Sequence, residues 1–339
     1  MPKPLIRLGL IGLNNQGKEH LQGALLSKRV QIVALCDRDP ETLEKGCAIL
    51  GDVATYTSHS EFLAHPQLEG IILALPHQVY EDIWDDVVAV GVPLLKEKPL
   101  GRTLSEAQSF LSRARANAVP IVTAIQRRMH PTYVNLKECL EGQTINAVTA
   151  MLHLGFDPAK KPDNWRGDPV RAGGGALLDS GYHMIDLVHY LIGSFEVIHA
   201  NLWVHEAPAL STMLETDATL MGRVGSTWVR VESRVGGRPD PDRKGKFLKQ
   251  ERVEVETCRG IYTASRDAIS LNGEEIWTSD RSWDQSMCLQ LDHFEDRIQE
   301  DSFDDADVWD QVPVMRVIEQ AYGFAQQVGP IPRPVGGST

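Results

Sequence analysis

Nearly uninterrupted apolar runs alternate with helix-length segments through the first 130 residues, and no other feature constrains the fold as strongly. Strands that are buried on both faces read as continuous apolar runs, whereas strands with one wet face alternate in polarity. Strands that alternate with helices build right-handed βαβ units and a parallel sheet. We therefore predict an α/β domain with a doubly wound parallel sheet over residues 1–130, with strands at residues 5–12, 30–36, 71–75, 92–95 and 120–124.

The pattern changes at about residue 131, where the apolar runs become longer and alternate in polarity. In the run 252–257, valines alternate with glutamates, so one face of the strand should pack on a core while the other meets water. Similar runs lie at 147–154 and 227–233, and we expect the last helix, at about 312–327, to pack back on the first domain. Residues 131–339 are predicted to form an α+β domain on a large, mostly antiparallel open sheet.

Composition argues against several classes of protein. The chain has 339 residues and a net charge of −12, and an acidic chain repels both nucleic acid phosphate and anionic membrane surfaces. No run approaches the roughly 18 apolar residues of a membrane helix. The five cysteines are scattered, odd in number and without a CxxC pair, which argues against a zinc site and for free thiols in a reducing compartment. We expect a cytoplasmic protein of two domains that holds no metal.

A glycine-containing turn between the first strand and the first helix predicts a nucleotide site. The segment 9–17, GLIGLNNQG, follows a strand and opens a helix, as the dinucleotide fingerprint requires. Gly12 should make the tight turn, and Gly17 should let the helix pack closely. The middle glycine is replaced by Asn14, which tolerates a positive φ but adds bulk. The predicted phosphate-binding turn of this Rossmann-type domain comprises Gly12, Leu13, Asn14, Asn15 and Gly17.

Asp37 is predicted to select the dinucleotide. It ends the second strand, 20 residues after Gly17. An acid at that position accepts hydrogen bonds from the adenosine ribose and disfavours a 2′-phosphate, so the site should prefer NAD. Arg38 keeps NADP as the alternative, because a guanidinium there can hold the phosphate.

The triplet Glu97-Lys98-Pro99 follows the strand at 92–95 and marks a second part of the same crevice. Ligands of open parallel sheets bind outside the carboxyl ends of the strands, so Lys98 should face the cofactor together with Glu97. Pro76, which ends the preceding strand, should lie beside them. Pro99 restricts the chain and is a candidate for a cis peptide bond.

A further candidate site lies in the segment 173–186, GGGALLDSGYHMID. Asp179 and His183 are four residues apart, so in a helix both project from one face, one turn apart. An acid and an imidazole placed in this way can hold one substrate hydroxyl between them. Asp186 is expected to hydrogen-bond within its own helix environment.

Together these motifs resemble the Gfo/Idh/MocA family of nicotinamide-dependent oxidoreductases, and the resemblance spans nearly the whole chain. The Glu-Lys-Pro triplet and the Gly-Gly-Gly run that leads to His183 are its most specific elements. Asn14 departs from the family pattern, and so does Tyr80, where many members carry histidine; we expect the latter change to alter substrate or nicotinamide contacts. Other matching positions are Asp37, Gln126-Arg127-Arg128, Trp165-Arg166-Gly167-Asp168-Pro169, Gly181, Asp186 and the acidic stretch near Asp304.

The resemblance implies that Lys98, Asp179 and His183 form a catalytic set beside the nicotinamide. Alcohol oxidation needs a base for the hydroxyl proton as hydride leaves carbon, and an imidazole titrates near neutral pH. We prefer His183 as this base, with Lys98 donating a hydrogen bond to the developing alkoxide and Asp179 holding the substrate or stabilising the imidazolium. In the alternative, the cationic oxidised nicotinamide favours a neutral Lys98 that acts as the base, and His183 positions the substrate.

The resemblance also implies a substrate class and an assembly. The expected substrate is a secondary alcohol of a sugar, cyclitol or related polyol. Family members commonly form dimers or tetramers, here through the outer face of the C-terminal sheet. The residues expected to line the substrate pocket are Arg128, His153, Trp165 and Arg166.

Two other functions are also consistent with the sequence. Some relatives use bound NAD transiently to cleave glycosidic bonds, and nothing in this chain favours that reaction. The fold can also serve as a dinucleotide- or sugar-sensing regulator without catalysis. The complete set of Lys98, Asp179 and His183 argues against a regulator, because a sensor has no need of all three.

Overall fold

The computed structural model describes residues 4–155, 165–204, 214–236, 240, 248–279, 283–301, 303 and 311–327. The chain divides into two compact units, and one break between them falls at the boundary predicted near residue 130. Each unit also takes segments from the other side of that boundary. The first comprises Met1–Gly101, Ser105–His130 and Arg281–Val312, and the second comprises Arg102–Leu104, Pro131–Asp280 and Pro313–Thr339.

The first unit contains a six-stranded sheet. Its strands are β1 (Ile6–Ile11), β2 (Val30–Cys36), β3 (Ala54–Tyr56), β4 (Gly70–Leu73), β5 (Leu94–Glu97) and β6 (Ile121–Ala124). The order across the sheet is β3-β2-β1-β4-β5-β6, and all neighbours are parallel. The predicted doubly wound parallel sheet is therefore confirmed. The strand order reverses between β1 and β4, which is where open α/β sheets bind their ligands.

Helices cover this sheet and alternate with its strands. A prediction made from the sequence placed the last helix on this unit. The helix that supplies its core is instead Trp283–Glu300, whose Leu291 and Phe294 pack with Leu8 and Leu10 of β1. This helix was not predicted from the sequence because many of its residues are polar. Residues 313–327 of the last helix group with the second unit. The other helices of the first unit are α1 (Asn15–Leu26), α2 (Pro40–Leu50), α3 (His59–Leu63), α4 (Val79–Ala89) and α5 (Leu104–Ala116).

The second unit is built on an eight-stranded sheet. Its strands are β7 (Ile145–Gly155), β8 (Glu196–Trp203), β9 (Asp217–Val224), β10 (Thr227–Gly236), β11 (Lys249–Thr257), β12 (Gly260–Ala264), β13 (Ala268–Leu271) and β14 (Glu274–Thr278). They lie in the order β14-β13-β12-β11-β7-β10-β9-β8, and only β7 and β10 are parallel neighbours. The prediction of a large, mostly antiparallel sheet is confirmed.

One face of the second sheet is buried and the other is open to solvent in this chain. Val253 and Val255 are completely buried, whereas Glu256 on the opposite face is exposed. The helices α6 (Pro131–Leu140) and α8 (Tyr182–Ile192) pack against the sheet. No helix among the described residues combines the length and apolar character needed to cross a membrane.

Candidate active site

The glycine turn after β1 is too tight to admit side chains. Gly12 has a φ of +90°, and a Cβ there would lie 2.3 Å from the carbonyl oxygen of Ala74, just beyond β4. A Cβ on Gly17 would lie 2.0 Å from the carbonyl oxygen of Gly12. Both contacts are far shorter than carbon and oxygen allow, so glycine at these positions lets α1 begin directly on the turn.

The two asparagines at the start of α1 leave its N-terminus open. Asn14 has a φ of −79°, so the tolerance for positive φ expected of it is not used; the positive φ, +21°, belongs to Asn15. Both residues are exposed. The Asn14 side chain makes no capping hydrogen bond, and the first turn holds no acid. Backbone N–H groups at such an end, with the helix dipole, favour an anion such as pyrophosphate, so these residues fit a dinucleotide.

Asp37 is fixed against the glycine turn. Its Oδ2 accepts a hydrogen bond from the backbone N–H of Leu13 at 2.9 Å, and its Oδ1 accepts one from Asp39 at 3.1 Å. A carboxylate has lone pairs left after two such bonds, so it can still accept from ribose hydroxyls. Arg38 beside it is exposed.

A buried polar pair supports the Glu-Lys-Pro triplet. Glu97 ends β5 and is 5% exposed, and its Oε1 lies 2.8 Å from Nε2 of His20 on α1. His20 is completely buried. The Lys98–Pro99 peptide bond is cis. His20 was not predicted from the sequence, although its place on the buried face of α1 was a usable signal.

Tyr80 lies inside the first unit and is 1% exposed. Its hydroxyl donates to the carbonyl oxygen of Leu73 at 3.0 Å and accepts from the N–H of Leu75 at 3.2 Å. The side chain therefore holds the loop that leads from β4 to Pro76. Sequence reasoning expected this residue to alter ligand contacts, and the structure shows that its hydroxyl bonds to backbone.

Each of the three consecutive glycines permits a different close approach within the second unit. Gly173, with a φ of +84°, ends the short helix α7 (Pro169–Ala172). A Cβ on Gly174 would lie 2.2 Å from the Tyr322 hydroxyl, and a Cβ on Gly175 would lie 2.1 Å from the carbonyl oxygen of Glu215. The glycines thus let this segment pack directly on partners more than 35 residues away in sequence.

Glu215 holds the end of the glycine segment. It is 4% exposed, and its Oε1 accepts hydrogen bonds from the backbone N–H groups of Gly175 at 3.0 Å and Leu177 at 3.1 Å and from the Tyr322 hydroxyl at 2.8 Å. Burial raises the pKa of the Glu215 carboxyl, and these hydrogen bonds oppose that shift. Glu215 and Tyr322 were missed from the sequence, because nothing nearby in the chain marks either as a partner.

The segment that carries Asp179 is a π-helical turn, Leu177–Gly181, and α8 follows it directly. The sequence predicted that Asp179 and His183 would share one face if the run were helical; the run is helical, with Asp179 in the π turn and His183 in the α-helix that follows. Hydroxyl groups of Ser180 and Ser233 both donate to the Ala176 carbonyl, at 3.0 Å and 2.7 Å. Single π turns inside helices are frequent at functional sites.

Three of the predicted site residues come together in the second unit. Nε of Arg166 donates to Oδ2 of Asp179 at 3.2 Å, and the Arg166 guanidinium lies over the Trp165 ring, 4.5 Å from its centroid. His183 is 6% exposed, and Asp186 is completely buried.

The other two predicted substrate residues have different surroundings. His153 lies on β7, and burial and then the nearby Arg234 charge lower its pKa, against the raising effect of Glu232. Its Nε2 lies 3.9 Å from Oε2 of Glu232. Arg128 belongs to a 3-10 turn of the first unit, Gln126–Met129. The acidic stretch near Asp304 lies outside the described residues.

Comparison with protein families decides the relationship. Residues 6–125 match the model of an oxidoreductase family with an NAD-binding Rossmann fold, and residues 133–256 match the GFO/IDH/MocA C-terminal domain. The chain belongs to the Gfo/Idh/MocA family. The resemblance seen in the motifs and the predicted NAD-binding Rossmann domain are thereby confirmed.

Individual relatives of this family member are distant. It is 27% identical over 187 residues to the rhizopine catabolism protein MocA of Rhizobium meliloti, which covers 55% of this chain and 57% of that protein. It is 22% identical over 258 residues to the myo-inositol 2-dehydrogenase of Thermotoga maritima, covering 75% and 74%. The chain thus spans less than three fifths of the length of MocA. A levoglucosan dehydrogenase solved with NADH and levoglucosan shares the fold, with a TM-score of 0.81, 18% identity, and 96% and 98% coverage.

Proposed function

We propose that this protein is an NAD-dependent dehydrogenase that interconverts a secondary alcohol and a ketone of a sugar, cyclitol or related polyol. The proposal rests on the arrangement of residues at the carboxyl end of the first sheet. There, Lys98 follows the buried Glu97–His20 pair at the end of β5, and the glycine turn follows β1 two strands away. The names of the relatives, an inositol dehydrogenase and a levoglucosan dehydrogenase among them, support the substrate class.

The catalytic roles follow from the chemistry of three side chains. When bound, the nicotinamide supplies or accepts the hydride. His183 takes the hydroxyl proton of the alcohol, and Lys98 donates a hydrogen bond to the oxygen as it gains negative charge. Asp179, hydrogen-bonded to Arg166, holds the substrate or stabilises the imidazolium that results. With Lys98 as the base instead, His183 orients the substrate hydroxyl.

The first unit is proposed to hold NAD in preference to NADP. The Asp37 carboxylate, fixed by the N–H of Leu13, supports this preference, because an acid at the end of this strand disfavours a 2′-phosphate. Arg38 is exposed, and its guanidinium is the feature that would favour NADP. Trp165 and Arg166 are proposed to line the substrate pocket together with His153 and Arg128.

The test is a cofactor titration followed by a substrate screen. NADH and NADPH binding are measured by fluorescence, and a panel of sugars, cyclitols and polyols is then screened by the absorbance of the reduced nicotinamide. The key variant is Lys98→Met, which should abolish turnover while the Kd for NADH stays within about threefold, because only transition-state stabilisation is lost. The matched control is Lys45→Met, at an exposed lysine paired with Glu41.

The outcomes separate the candidate functions. Turnover that survives in Lys98→Met contradicts the catalytic assignment. Tight NADH binding without turnover of any polyol favours a sensor, and cleavage of a glycoside without net formation of NADH favours the glycosidase-type reaction.

We propose that the open face of the second sheet joins two copies of the chain. This face carries large apolar side chains that are 42–54% exposed, and exposed apolar patches of this kind mark association sites. Light scattering should detect a dimer or tetramer, and Trp228→Arg should shift it toward monomer. A monomeric wild-type protein would refute this assembly. The exposed side chains are Ile198, Met221, Trp228, Ile261 and Ile276.

We place the protein in the cytoplasm on the state of its cysteines. All five are free thiols, as a reducing compartment maintains them. Fractionation of cells that express the tagged protein tests this placement.

A further inference from the structure

Lys96 is a completely buried lysine two residues before the proposed catalytic Lys98. Lysine is almost never fully buried unless its ammonium is paired. Here Nζ donates to the carbonyl oxygen of Glu97 at 3.0 Å and to that of Pro99 at 2.7 Å. These two carbonyls belong to the residues on either side of Lys98.

Aromatic rings are the third partner of the Lys96 ammonium. Nζ lies 3.7 Å from the centroid of the Tyr80 ring and 5.9 Å from that of Phe110. An ammonium has three N–H donors, and two carbonyls and one ring face accept all three. A neutral amine would instead have to direct its lone pair at one of these electron-rich partners, so the geometry fits the charged form.

Two opposing effects set the pKa of Lys96. Burial lowers the pKa of Lys96 to about 7, and the carboxylates of Glu106 and Glu97 oppose this shift. The two carbonyls and the aromatic rings contact the ammonium, the negative charge of the two carboxylates favours it, and all of these groups lie in the first unit.

Tyr80 connects this ammonium to the neighbouring strand. Its hydroxyl binds backbone atoms of Leu73 and Leu75 at the end of β4, while its ring lies against the ammonium at the end of β5. β4 and β5 are paired neighbours. A histidine at position 80 would lack the phenol that makes both contacts, which gives a physical reason for tyrosine in this chain.

We propose that Lys96 is a positioning residue for Lys98. Its ammonium, seated on the Tyr80 ring, fixes the carbonyls on both sides of Lys98 and so sets the point from which the Lys98 side chain extends. This inference rests on the proposed function, in which Lys98 contacts the reacting oxygen. A displacement of about 1 Å in such a group can cost about a hundredfold in rate.

The test is Lys96→Met, which keeps the length and the apolar stem and removes the ammonium. The variant leaves the Glu97 and Pro99 carbonyls without their donor, but it also removes the cost of burying a charge, so the variant should fold with reduced stability. With a polyol found in the screen above, kcat should fall at least about thirtyfold while the Kd for NADH changes less than about twofold. Lys45→Met is the matched surface control and should keep the wild-type kcat.

A second measurement needs no substrate. Hydrogen exchange followed by mass spectrometry should show amides in residues 97–104 exchanging at least about tenfold faster in Lys96→Met, with other segments unchanged. If Lys96→Met does not fold, Lys96→Gln takes its place, because its amide offers two N–H donors without the charge. The kcat of Lys96→Gln and its exchange rate in residues 97–104 should then lie between the values of the Lys45→Met control and those expected when both hydrogen bonds of Lys96 are lost.

The results separate this inference from the proposed function. A kcat within about threefold of wild type together with unchanged exchange overturns it. It is equally overturned if kcat, NADH binding and melting temperature all fall together, since that pattern shows a merely structural role. If Lys98→Met is inactive and Lys96→Met is fully active, only the inference about Lys96 fails; if Lys98→Met is active, the proposed function fails.

Discussion

Removing the Glu215 carboxylate should loosen the segment that leads to Asp179. One oxygen, Oε1, accepts hydrogen bonds from the backbone of Gly175 and Leu177 and from the Tyr322 hydroxyl. Glu215→Leu keeps an apolar side chain in the space and deletes this acceptor. Glu215→Gln is the matched control, because its amide oxygen can accept the same three bonds.

The magnitude follows from the donors left without a partner. Two buried backbone N–H groups, of Gly175 and Leu177, lose their acceptor, and each such group costs about 1–3 kcal/mol. The apolar leucine offsets roughly 1 kcal/mol of this by its burial. We expect Glu215→Leu to lower the local stability of the segment by about 3 kcal/mol and Glu215→Gln to lower it by about 1 kcal/mol or less.

The assay is amide exchange at Gly175 and Leu177, because a chain of two units need not unfold in a single step. A loss of about 3 kcal/mol corresponds to exchange about a hundredfold faster, at roughly 1.4 kcal/mol per factor of ten. Exchange that rises less than about tenfold in Glu215→Leu would refute the reasoning. So would Glu215→Gln behaving like the leucine variant.

The same site predicts a dependence on pH. Burial raises the folded-state pKa of Glu215 above its ordinary value of 4.5. A carboxyl shifted in this direction contributes stability that is fully present below the unfolded pKa and is lost as the pH rises through the folded one. Glutamine does not titrate, so the stability of wild type relative to Glu215→Gln should fall as the pH rises above about 4.5. A difference that is flat or grows with pH contradicts the raised pKa.

Three further variants test the rest of the site. Gly12→Ala should lower the stability of the first unit by more than about 2 kcal/mol, since its Cβ would meet the Ala74 carbonyl. Gly51→Ala has a similar φ of +85° and no described atom within 4 Å of the added Cβ, so it should cost only about 1 kcal/mol. Amide exchange of the β1 strand measures both losses. Asp37→Ala should weaken NADH binding about tenfold and shift the preference toward NADPH. Fluorescence titration measures both Kd values, and an unchanged ratio of the Kd for NADPH to that for NADH argues against a selective role for Asp37. His183→Asn should lower kcat at least about a hundredfold with NADH binding intact, and a smaller loss in steady-state assays favours Lys98 as the base.

Most of the first unit could be predicted from the sequence, because its strands are buried on both faces and carry an unbroken apolar signal. The run predicted at 92–95 shows where this reasoning stops. The strand extends to Glu97 and includes the buried Lys96, and the burial was not predicted because a lysine in an isolated sequence gives no sign of it. The partners that bury it, Tyr80 and the Pro99 carbonyl, are set by the fold. β3 was missed for a simpler reason, because three residues are too few for a periodic pattern.

The sequence singled out residues 173–186 as a candidate site, but it did not predict the local geometry of that segment. The three glycines and the spacing of Asp179 and His183 pointed to residues 173–186. Ser233 bonds to the carbonyl of Ala176 just before the π turn, and Glu215 bonds to the N–H of Gly175; both partners lie far along the chain. Periodicity within a segment cannot reveal such partners, so the π turn could not be predicted from it.

Ionisable groups are buried at the end of β5, although apolar side chains in the same space would make the fold at least as stable. His20, Glu97 and Lys96 are all buried there, and removing such groups from water costs several kcal/mol each before any contact is made. Hydrophobic side chains of similar volume would avoid that cost, but they cannot hold a carboxylate in one orientation or two carbonyls at fixed distances. Lys96 bonds to the carbonyls on either side of Lys98, and His20 bonds to the Glu97 carboxylate just before it. If the proposed function is right, the burial of these groups is a cost in stability that fixes the position of Lys98.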